Sequence, residues 1–218
     1  MLEIGCGKEA KVNSVLFLGA HCDDIEIGCG GTARKIVAAW PAAKFYWITF
    51  SSDSVREKET RLAAGKFLSG TQHSDVRVES YRNGFFPYVG ADIKAYFESL
   101  KGEINPDVIF THYRGDLHQD HRVINELTWN TFRDHLILEY EIPKFDGDFG
   151  VPNSFSPLTR EELNFKIEVL LDCFKSQRKK SWFTPESFQS VARLRGIECN
   201  APQGLAEAFY VRKARLSF

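Results

Sequence analysis

Residues 15–40 read VLFLGAHCDDIEIGCGGTARKIVAAW, and this segment contains the first unit of the predicted fold. It begins with VLFLG, a short apolar run closed by glycine, which is typical of a buried strand. The polar segment HCDDIEIGCGG follows, and the apolar positions of TARKIVAAW then recur at helical spacing. These patterns predict a strand, a loop and a helix in that order.

The same order of strand and helix occurs again further along the chain. Residues 44–50, KFYWITF, are rich in β-branched and aromatic residues, and an amphipathic helix is predicted over residues 56–70. Residues 76–80 predict a third strand, residues 91–104 a helix, and PDVIFTH at 106–112 another buried strand. Because strands that alternate with helices form parallel sheets, we expect an α/β fold with a doubly wound, mostly parallel sheet in three αβα layers.

The second half of the chain is less regular. Residues 141–157 are rich in Pro, Gly, Asp and Phe without clear periodicity, which predicts a long loop or lid. A helix follows, and Thr159 and Glu162 have the spacing of a capping box at its start. Since neither an internal repeat nor a linker divides the sequence, we expect a single domain over residues 1–218.

The composition excludes several classes of protein. The 218 residues contain 28 Lys and Arg against 29 Asp and Glu, and no long basic run could follow a nucleic acid backbone. No apolar stretch approaches the ~20 residues needed to cross a bilayer, and the first residues lack the order of a signal peptide. The five cysteines are widely spaced, which favours reduced thiols over disulfides. We therefore expect a cytoplasmic protein that binds no nucleic acid.

Two predicted loops contain most of the residues that can carry chemistry. Residues 21–26, HCDDIE, follow the first strand, and residues 116–121, DLHQDH, follow the strand predicted over 106–112. Both lie at carboxyl ends of strands, where ligands bind in open parallel sheets. Their three histidines and five carboxylates would repel and desolvate one another without a cation. The two loops therefore predict a divalent metal site.

The spacing of these residues suggests a role for each. His21 and Asp24, three residues apart in a tight turn, can reach one ion, and His121 would complete three ligands with a position left for water. Asp23 is adjacent to a ligand but points elsewhere, so it could accept a proton from that water. His118, three residues before His121, could donate to a developing oxyanion.

The ring of His118 would need a carboxylate partner to keep its proton. Asp120 or Asp116 could hold the ring in its protonated state. Asp120 is therefore a third candidate catalytic residue, beside Asp23 and His118.

Taken together, the two motifs resemble those of a known family. HCDDIE with the GCGG that follows at 28–31 is similar to the HPDDxE-x-GxGG signature of the zinc-dependent N-acetylglucosaminylphosphatidylinositol deacetylase-like (PIG-L/LmbE-like) family. HQDH at 118–121 is similar to its HxDH motif. The resemblance implies a Rossmann-like fold and the removal of an N-acetyl group from an acetamido sugar or sugar conjugate.

The resemblance also implies the roles of individual residues. It places one Zn²⁺ per chain on His21, Asp24 and His121. Asp23 is the implied general base, and His118 lies on the oxyanion side. These assignments agree with those that the spacing suggests.

The resemblance extends beyond the motifs and has one departure. It includes Arg56, the implied substrate contact, Glu59, and segments 195–196 and 206–209. Cys22 stands where the family has proline, so the turn lacks a fixed φ and gains a thiol donor beside the metal.

Several alternatives are compatible with the same residues. Arg56 and Glu59, at positions i and i+3, would also suit a surface ion pair. His112 ends a predicted strand near the site and could contact a metal ligand and orient it, without binding the metal itself. A non-catalytic or weakly metal-binding regulatory or binding module of the same fold is the alternative to an enzyme, and hydrolysis of another amide is a third possibility.

The expected partner is a small molecule. It would be an acetamido sugar, either free or linked to a nucleotide or a lipid. A homo-oligomer is also compatible with the resemblance, since members of the family often oligomerise.

Overall fold

The computed structural model describes residues 12–215, in which a central sheet has helices on both faces. Its strands are β1 (Ser14–His21), β2 (Lys44–Ser51), β3 (His73–Val78), β4 (Val108–His112), β5 (Leu136–Tyr140), β6 (Ser154–Pro157) and β7 (Ala206–Tyr210). Its α-helices are α1 (Asp24–Ala39), α2 (Ser54–Phe67), α3 (Gly90–Glu103), α4 (Gln119–Thr131), α5 (Arg160–Cys173) and α6 (Pro185–Glu198). Short 3-10 helices lie at Phe86–Tyr88 and Lys175–Gln177.

The order of the strands determines where the crevice of the sheet lies. They lie in the order β3-β2-β1-β4-β5-β7-β6. The first five pair in parallel, whereas β7 is antiparallel to both β5 and β6. Because the chain leaves β1 towards β2 and later returns to its other side as β4, a crevice opens at the carboxyl ends of β1 and β4. The predicted α/β fold with a doubly wound, mostly parallel sheet is confirmed.

Alternate residues of the central strand β1 enter different cores. Val15 and Phe17 pack with apolar residues of α1, α2, α5 and α6, whereas Leu16 and Leu18 pack with residues of α3 and α4. Strand β1 is buried from Val15 to its end. A continuous apolar run is typical of such a strand, covered on both faces of a parallel sheet. The three αβα layers follow from this arrangement.

Helix α1 is interrupted at Cys29, whose φ of −146° and ψ of 19° are not helical. The backbone groups that this break frees are bound by a buried ion pair. The carboxylate of Glu207 accepts hydrogen bonds from the amides of residues 31–32, and Lys166 donates to the carbonyl of Ile27. Lys166 Nζ also lies 2.6 Å from Glu207 Oε1. A side chain inserted into the helix ladder is a physical cause of such a break.

Helix α1 also begins earlier than the sequence predicts, at Asp24 rather than near residue 32. Gly28, Gly30 and Gly31 therefore lie inside this helix. A Cβ at Gly28 would lie 2.1 Å from the ring of Tyr140, and one at Gly30 would lie 2.9 Å from Phe67. Glycine therefore allows the helix to approach the sheet and α2 closely.

The predicted loop over residues 141–157 is shorter in the structure. Residues 154–157 form β6, an edge strand that pairs with β7. The sequence missed it because four residues are too few to show an alternating pattern. The capping box of Thr159 and Glu162 is confirmed at the start of α5.

Cys22, Cys29, Cys173 and Cys199 are buried free thiols, as expected, whereas Cys6 lies outside the described residues. Between residues 12 and 215, no helix is both long and apolar enough to cross a membrane.

Candidate metal centre

The site lies in the crevice at the carboxyl ends of β1 and β4. Strand β1 ends at His21, and α1 begins three residues later at Asp24. On the other side of the crevice, His118 is the N-cap of α4, and His121 lies in the first turn of that helix. The two motifs, which are about a hundred residues apart in sequence, thus meet at the switch point of the sheet.

Three donor atoms converge in this crevice. His21 Nδ1 lies 3.2 Å from His121 Nε2 and 3.4 Å from Asp24 Oδ2. The third side, from His121 Nε2 to Asp24 Oδ2, is 3.5 Å. Ligand bonds of 2.0–2.1 Å in a tetrahedral zinc site correspond to ligand–ligand separations of about 3.3 Å. The triangle therefore has the dimensions of a zinc site.

The outer nitrogens of both imidazoles are bound by carboxylates. His21 Nε2 lies 3.1 Å from Asp120 Oδ2, and His121 Nδ1 lies 2.9 Å from Asp116 Oδ2. When each outer nitrogen donates to its carboxylate, the neutral rings turn bare nitrogens towards each other and towards Asp24. Three lone pairs that face one point without a proton between them fit a bound cation, and the outer carboxylates are typical partners of metal-binding histidines.

Without a metal, these groups perturb the pKa of one another. Burial alone would lower the pKa of His21, but the carboxylates of Asp24 and Asp120 raise it to about 9. Burial, together with the nearby ring of His112, lowers the pKa of His121 to about 3. Although burial acts in the opposite direction, the surrounding imidazoles hold the pKa of Asp24 well below its usual range. Asp24 is therefore an anionic donor.

Asp23 has a backbone φ of 103°, in the left-handed region, and its side chain pairs with Arg56. Its Oδ1 accepts a hydrogen bond of 2.9 Å from Arg56 Nη2, which also donates to the carbonyl oxygen of Cys22. Burial raises the pKa of Asp23 to about 6, although Arg56 acts in the opposite direction. The thiol of Cys22 faces β2, where it lies 3.4 Å from the carbonyl oxygen of Ser51.

The ring of His118 lies beside the triangle, with its centroid 4.8 Å from that of His21 and 4.5 Å from that of His121. Its Nδ1 accepts a hydrogen bond of 3.2 Å from the amide of Asp120. Nδ1 is therefore unprotonated, and the neutral ring carries its proton on Nε2. Burial and the neighbouring His21 lower the pKa of His118.

The expected carboxylate partners of His118 are engaged elsewhere. Asp120 binds His21 and also accepts hydrogen bonds from the amides of Gly84 and Phe86. Asp116 binds His121. The structure thus replaces the expected carboxylate contact to the His118 ring with a backbone amide.

Arg56 lies at the start of α2, where Asp53 caps the helix. Its side chain is only 15% exposed and pairs with Asp23. The alternative pairing with Glu59 is wrong, because Glu59 accepts hydrogen bonds from the amide and hydroxyl of Ser176. Arg56 therefore faces the site instead of forming a surface ion pair.

Two further residues contact the donors of the triangle or a residue that binds one of them. His112 Nε2 lies 3.2 Å from Asp24 Oδ2, and the ring of His112 stacks on that of His121 with centroids 3.9 Å apart. Lys144 Nζ lies 3.0 Å from Asp116 Oδ2. The sequence suggested His112 through its place at a strand end, but no signal pointed to Lys144, which lies in the loop without periodicity.

Residues 141–153 form a loop that is fixed against the rest of the molecule. Arg195 binds Glu141 through two hydrogen bonds of 2.9 and 3.0 Å, and Tyr210 donates to the same carboxylate. At the other side of the loop, Asp148 Oδ2 accepts a hydrogen bond of 2.7 Å from the amide of Leu117. The loop is thereby joined to the second motif.

Other groupings of side chains near the triangle could also hold an ion. Suitable donor atoms of His21, His118 and His121 lie within 4.8 Å of one another, as do those of Asp24, His112 and His121. His121 belongs to both groups, which places it at the centre of the cluster.

The chain resembles known proteins in sequence and in fold. Residues 16–132, more than half of the chain, match the family described as PIG-L: GlcNAc-PI de-N-acetylase. An uncharacterized deacetylase, YaiS of Escherichia coli K12, is 27% identical over 175 residues, which cover 73% of this chain and 90% of the relative.

Two solved structures have a similar fold. N,N'-diacetylchitobiose deacetylase of Pyrococcus horikoshii is similar with a TM-score of 0.67 at 19% sequence identity. The match covers 92% of this chain and 84% of the deacetylase chain. GalB of Pseudomonas putida KT2440, a 4-carboxy-2-hydroxymuconate hydratase, is similar with a TM-score of 0.73 at 14% sequence identity. The match covers 94% of this chain and 98% of the hydratase chain. Since a deacetylase and a hydratase both have this fold, the reaction must be argued from the site.

Proposed function

This chain belongs to the PIG-L family, and we propose that within it the protein is a metal-dependent deacetylase that releases acetate from an acetamido sugar or sugar conjugate. Membership of a deacetylase family supports the hydrolysis of an N-acetyl group. The names of its relatives, which include a GlcNAc-PI de-N-acetylase and a diacetylchitobiose deacetylase, favour an amino sugar as the part that carries this group.

The observation that carries the proposal is the triangle of His21, Asp24 and His121. Its sides of 3.2 to 3.5 Å and its donor set of two imidazoles and one carboxylate suit one Zn²⁺ per chain. Two neutral imidazoles and one carboxylate would leave the ion a net positive charge. When bound there, zinc would acidify water and polarise the amide carbonyl.

Asp23 is the proposed general base. Its carboxylate lies next to a proposed ligand in sequence and is bound by Arg56. Arg56 holds Oδ1, which leaves Oδ2 as the atom that accepts the proton of the attacking water and later delivers it to the leaving amine. The substrate contact that the resemblance implies for Arg56 is a separate proposal, which a KM measurement tests.

His118 is proposed to stabilise the oxyanion. Because its Nδ1 accepts a hydrogen bond from the amide of Asp120, its Nε2–H is the group that can donate to the developing negative charge. Asp120 is proposed to act indirectly, because its carboxylate orients the ring of His21 and fixes the loop at Gly84. It is a positioning residue in this proposal.

The experiment that tests the proposal measures metal and product together. Purified protein is analysed for bound metal, and acetate release is measured with N-acetylglucosamine, diacetylchitobiose, lipid- and nucleotide-linked acetamido sugars and an N-acetyl amino acid. We expect about one zinc per chain and acetate release from at least one sugar. Little bound metal and no release from any compound would favour the alternative of a weakly metal-binding module, bound metal without release would favour a non-catalytic one, and release from the amino acid alone would favour another amide.

A further inference from the structure

Lys144 lies among buried charged groups beside the second motif. Its side chain is only 10% exposed, and its Nζ lies 3.0 Å from Asp116 Oδ2 and also pairs with Asp148. The two carboxylates are buried as well, with 2% and 6% of their side chains exposed. Charged groups leave water at a cost in free energy that close partners must offset. The ammonium group of Lys144 therefore joins two buried carboxylates and is not a surface ion pair.

Asp116 connects Lys144 to both histidines of the second motif. Its Oδ1 accepts a hydrogen bond of 2.8 Å from the amide of His118, and its Oδ2 lies 2.9 Å from His121 Nδ1. Lys144 binds the same Oδ2. Among residues 12–215, no other lysine or arginine forms an ion pair with Asp116. Lys144 is thus the cationic partner of the carboxylate that holds the ring of His121.

These three contacts fix the orientation of Asp116. A carboxylate held by a single donor can rotate, whereas donors to both of its oxygens select one orientation. In that orientation Oδ2 accepts the Nδ1 proton of His121, which leaves Nε2 of the ring for the donor triangle. Carboxylates that bind the outer nitrogen of a metal-binding histidine fix its tautomer and the direction of its ring. A residue that fixes such a carboxylate acts on the metal through two contacts.

The loop that carries Lys144 is held on both sides of this residue. Three residues earlier, Glu141 forms two hydrogen bonds with Arg195. Four residues later, Asp148 accepts a hydrogen bond of 2.7 Å from the amide of Leu117. Because the loop is held in this way, little conformational entropy remains to oppose the contact between the ammonium group and its carboxylate partners.

We propose that Lys144 is a positioning residue of the metal centre, which holds Asp116 in the orientation that directs the ring of His121 towards the metal. The inference rests on the proposed function, because it takes His121 as a metal ligand. Lys144 does not belong to the donor triangle, so it is not a catalytic residue. Through Lys144, the loop of residues 141–153 becomes part of the metal centre.

The direction of the change in zinc affinity distinguishes positioning from charge alone. A positive charge near the site repels a cation, so removal of Lys144 would by itself strengthen zinc binding. Loss of the orientation of Asp116 acts in the opposite direction and weakens it. Loss of a group that binds a metal ligand directly weakens metal binding about 10- to 100-fold. Since Lys144 acts one contact further away, we expect a loss of about tenfold, at the lower end of this range.

The test measures zinc affinity by competition with a chromophoric chelator at a single pH, with the folding of each variant checked by circular dichroism. Lys144→Met should bind zinc about tenfold more weakly than the unmodified protein. Lys94→Met is the matched control and should keep the affinity, since Lys94 contacts Thr131 at the opposite end of α4 from His121. Equal or tighter binding in Lys144→Met overturns the inference. If this variant does not fold, Lys144→Gln is measured in its place against the same expectation.

Two further variants test whether Lys144 acts through Asp116. Asp116→Asn removes the carboxylate that Lys144 binds, so Lys144→Met should cause little further loss of zinc affinity in that background. Additive losses overturn the inference. Asp148→Asn removes the other anionic partner of Lys144, but asparagine can still accept the hydrogen bond from the amide of Leu117. It should keep the zinc affinity, and a loss as large as that of Lys144→Met overturns the inference.

The outcomes also separate this inference from the proposed function, because zinc affinity is measured without turnover. Weaker zinc binding in Lys144→Met, without acetate release from any acetamido sugar by the unmodified protein, supports the positioning role and contradicts the deacetylase. Acetate release by the unmodified protein, with equal zinc affinity in Lys144→Met, contradicts the positioning role alone. An unmodified protein that does not bind zinc contradicts both.

Discussion

Asp23 and Asp24 are adjacent in sequence but have different surroundings. A non-glycine residue with a φ of 103° costs on the order of 1–3 kcal/mol and persists only where the surrounding structure holds it. Arg56 provides that support by binding both the side chain of Asp23 and the carbonyl of Cys22. The strained turn thus separates a proposed metal ligand from a proposed base within two residues.

Replacement of Asp23 by asparagine tests this separation. Asp23→Asn preserves the size of the side chain but removes the group that accepts the proton. We expect zinc content near that of the unmodified protein and a fall in kcat of about 10²- to 10⁴-fold, the range that a general base contributes. Elemental analysis and acetate release measure the two quantities.

Asp53→Asn is the matched control for this prediction. Asp53 caps α2 by accepting hydrogen bonds from the amides of residues 55 and 56, and asparagine caps helices equally well. Both zinc content and kcat should be unchanged. Loss of zinc in Asp23→Asn would show that this carboxylate is a ligand, and an unchanged kcat would remove its role as base.

Arg56 offers a test in which two roles have different kinetic effects. If Arg56 acts by holding Asp23, Arg56→Met should lower kcat about tenfold or more with little change in KM. A direct contact to substrate would instead raise KM at similar kcat, because it stabilises the bound substrate and the transition state equally. Steady-state kinetics of acetate release, with Arg61→Met on the exposed face of α2 as the control, distinguish these outcomes.

At the scale of single elements, helix α1 shows why the sequence predicts some features and not others. The apolar run of β1 and the motif that follows it are local, so a short window of sequence contains them. The break at Cys29 depends on Glu207 in β7 and Lys166 in α5, which are 176 and 139 residues away from the backbone groups they bind. No local pattern records such contacts.

The buried pair of Lys166 and Glu207 gives a prediction at this scale. Glu207→Ala would leave the ammonium group of Lys166 buried without its partner and would free the amides of residues 31–32. We expect the free energy of unfolding to fall by about 3–5 kcal/mol, as is usual when one partner of a buried ion pair is removed. Urea denaturation measures the loss.

The exposed pair of Glu57 and Arg61 is the control for this prediction. Both side chains are more than 40% exposed, so Glu57→Ala should change the free energy of unfolding by less than about 1 kcal/mol. The double variant Lys166→Met/Glu207→Ala should lose less than the sum of the two single variants, because no unpaired charge remains. Equal losses for Glu207→Ala and Glu57→Ala would contradict the stabilising contribution of the buried pair.

Across the whole molecule, the parts of the fold that the sequence predicts are those with local signals. Strands β1, β2 and β4 are covered on both faces and therefore read as continuous apolar runs. Strands β5 and β7 are five residues long and each contains a buried glutamate, so neither reads as a continuous apolar run and neither was predicted. At the site, the motifs gave every residue of the donor triangle, whereas Lys144 comes from a loop that only the folded chain brings to Asp116.

The donor triangle spans the crevice of the sheet, since His21 and Asp24 lie on the β1 side and His121 lies on α4. A zinc ion bound to all three would therefore bind the folded chain far better than the unfolded one. At free zinc of 100 times Kd, this linkage adds about 2.7 kcal/mol to the free energy of unfolding. For a chain of this size, it corresponds to a rise in Tm of about 5–10 °C.

Thermal unfolding with zinc or with a chelator tests this linkage. The zinc-dependent rise in Tm should be present in the unmodified protein and absent in His121→Ala, which lacks one of the three donors of the triangle. It should persist in His73→Ala, because His73 is exposed on β3 at the edge of the sheet. The same rise in His121→Ala as in the unmodified protein would contradict the site, because zinc would then stabilise the fold without the ligand that joins α4 to β1.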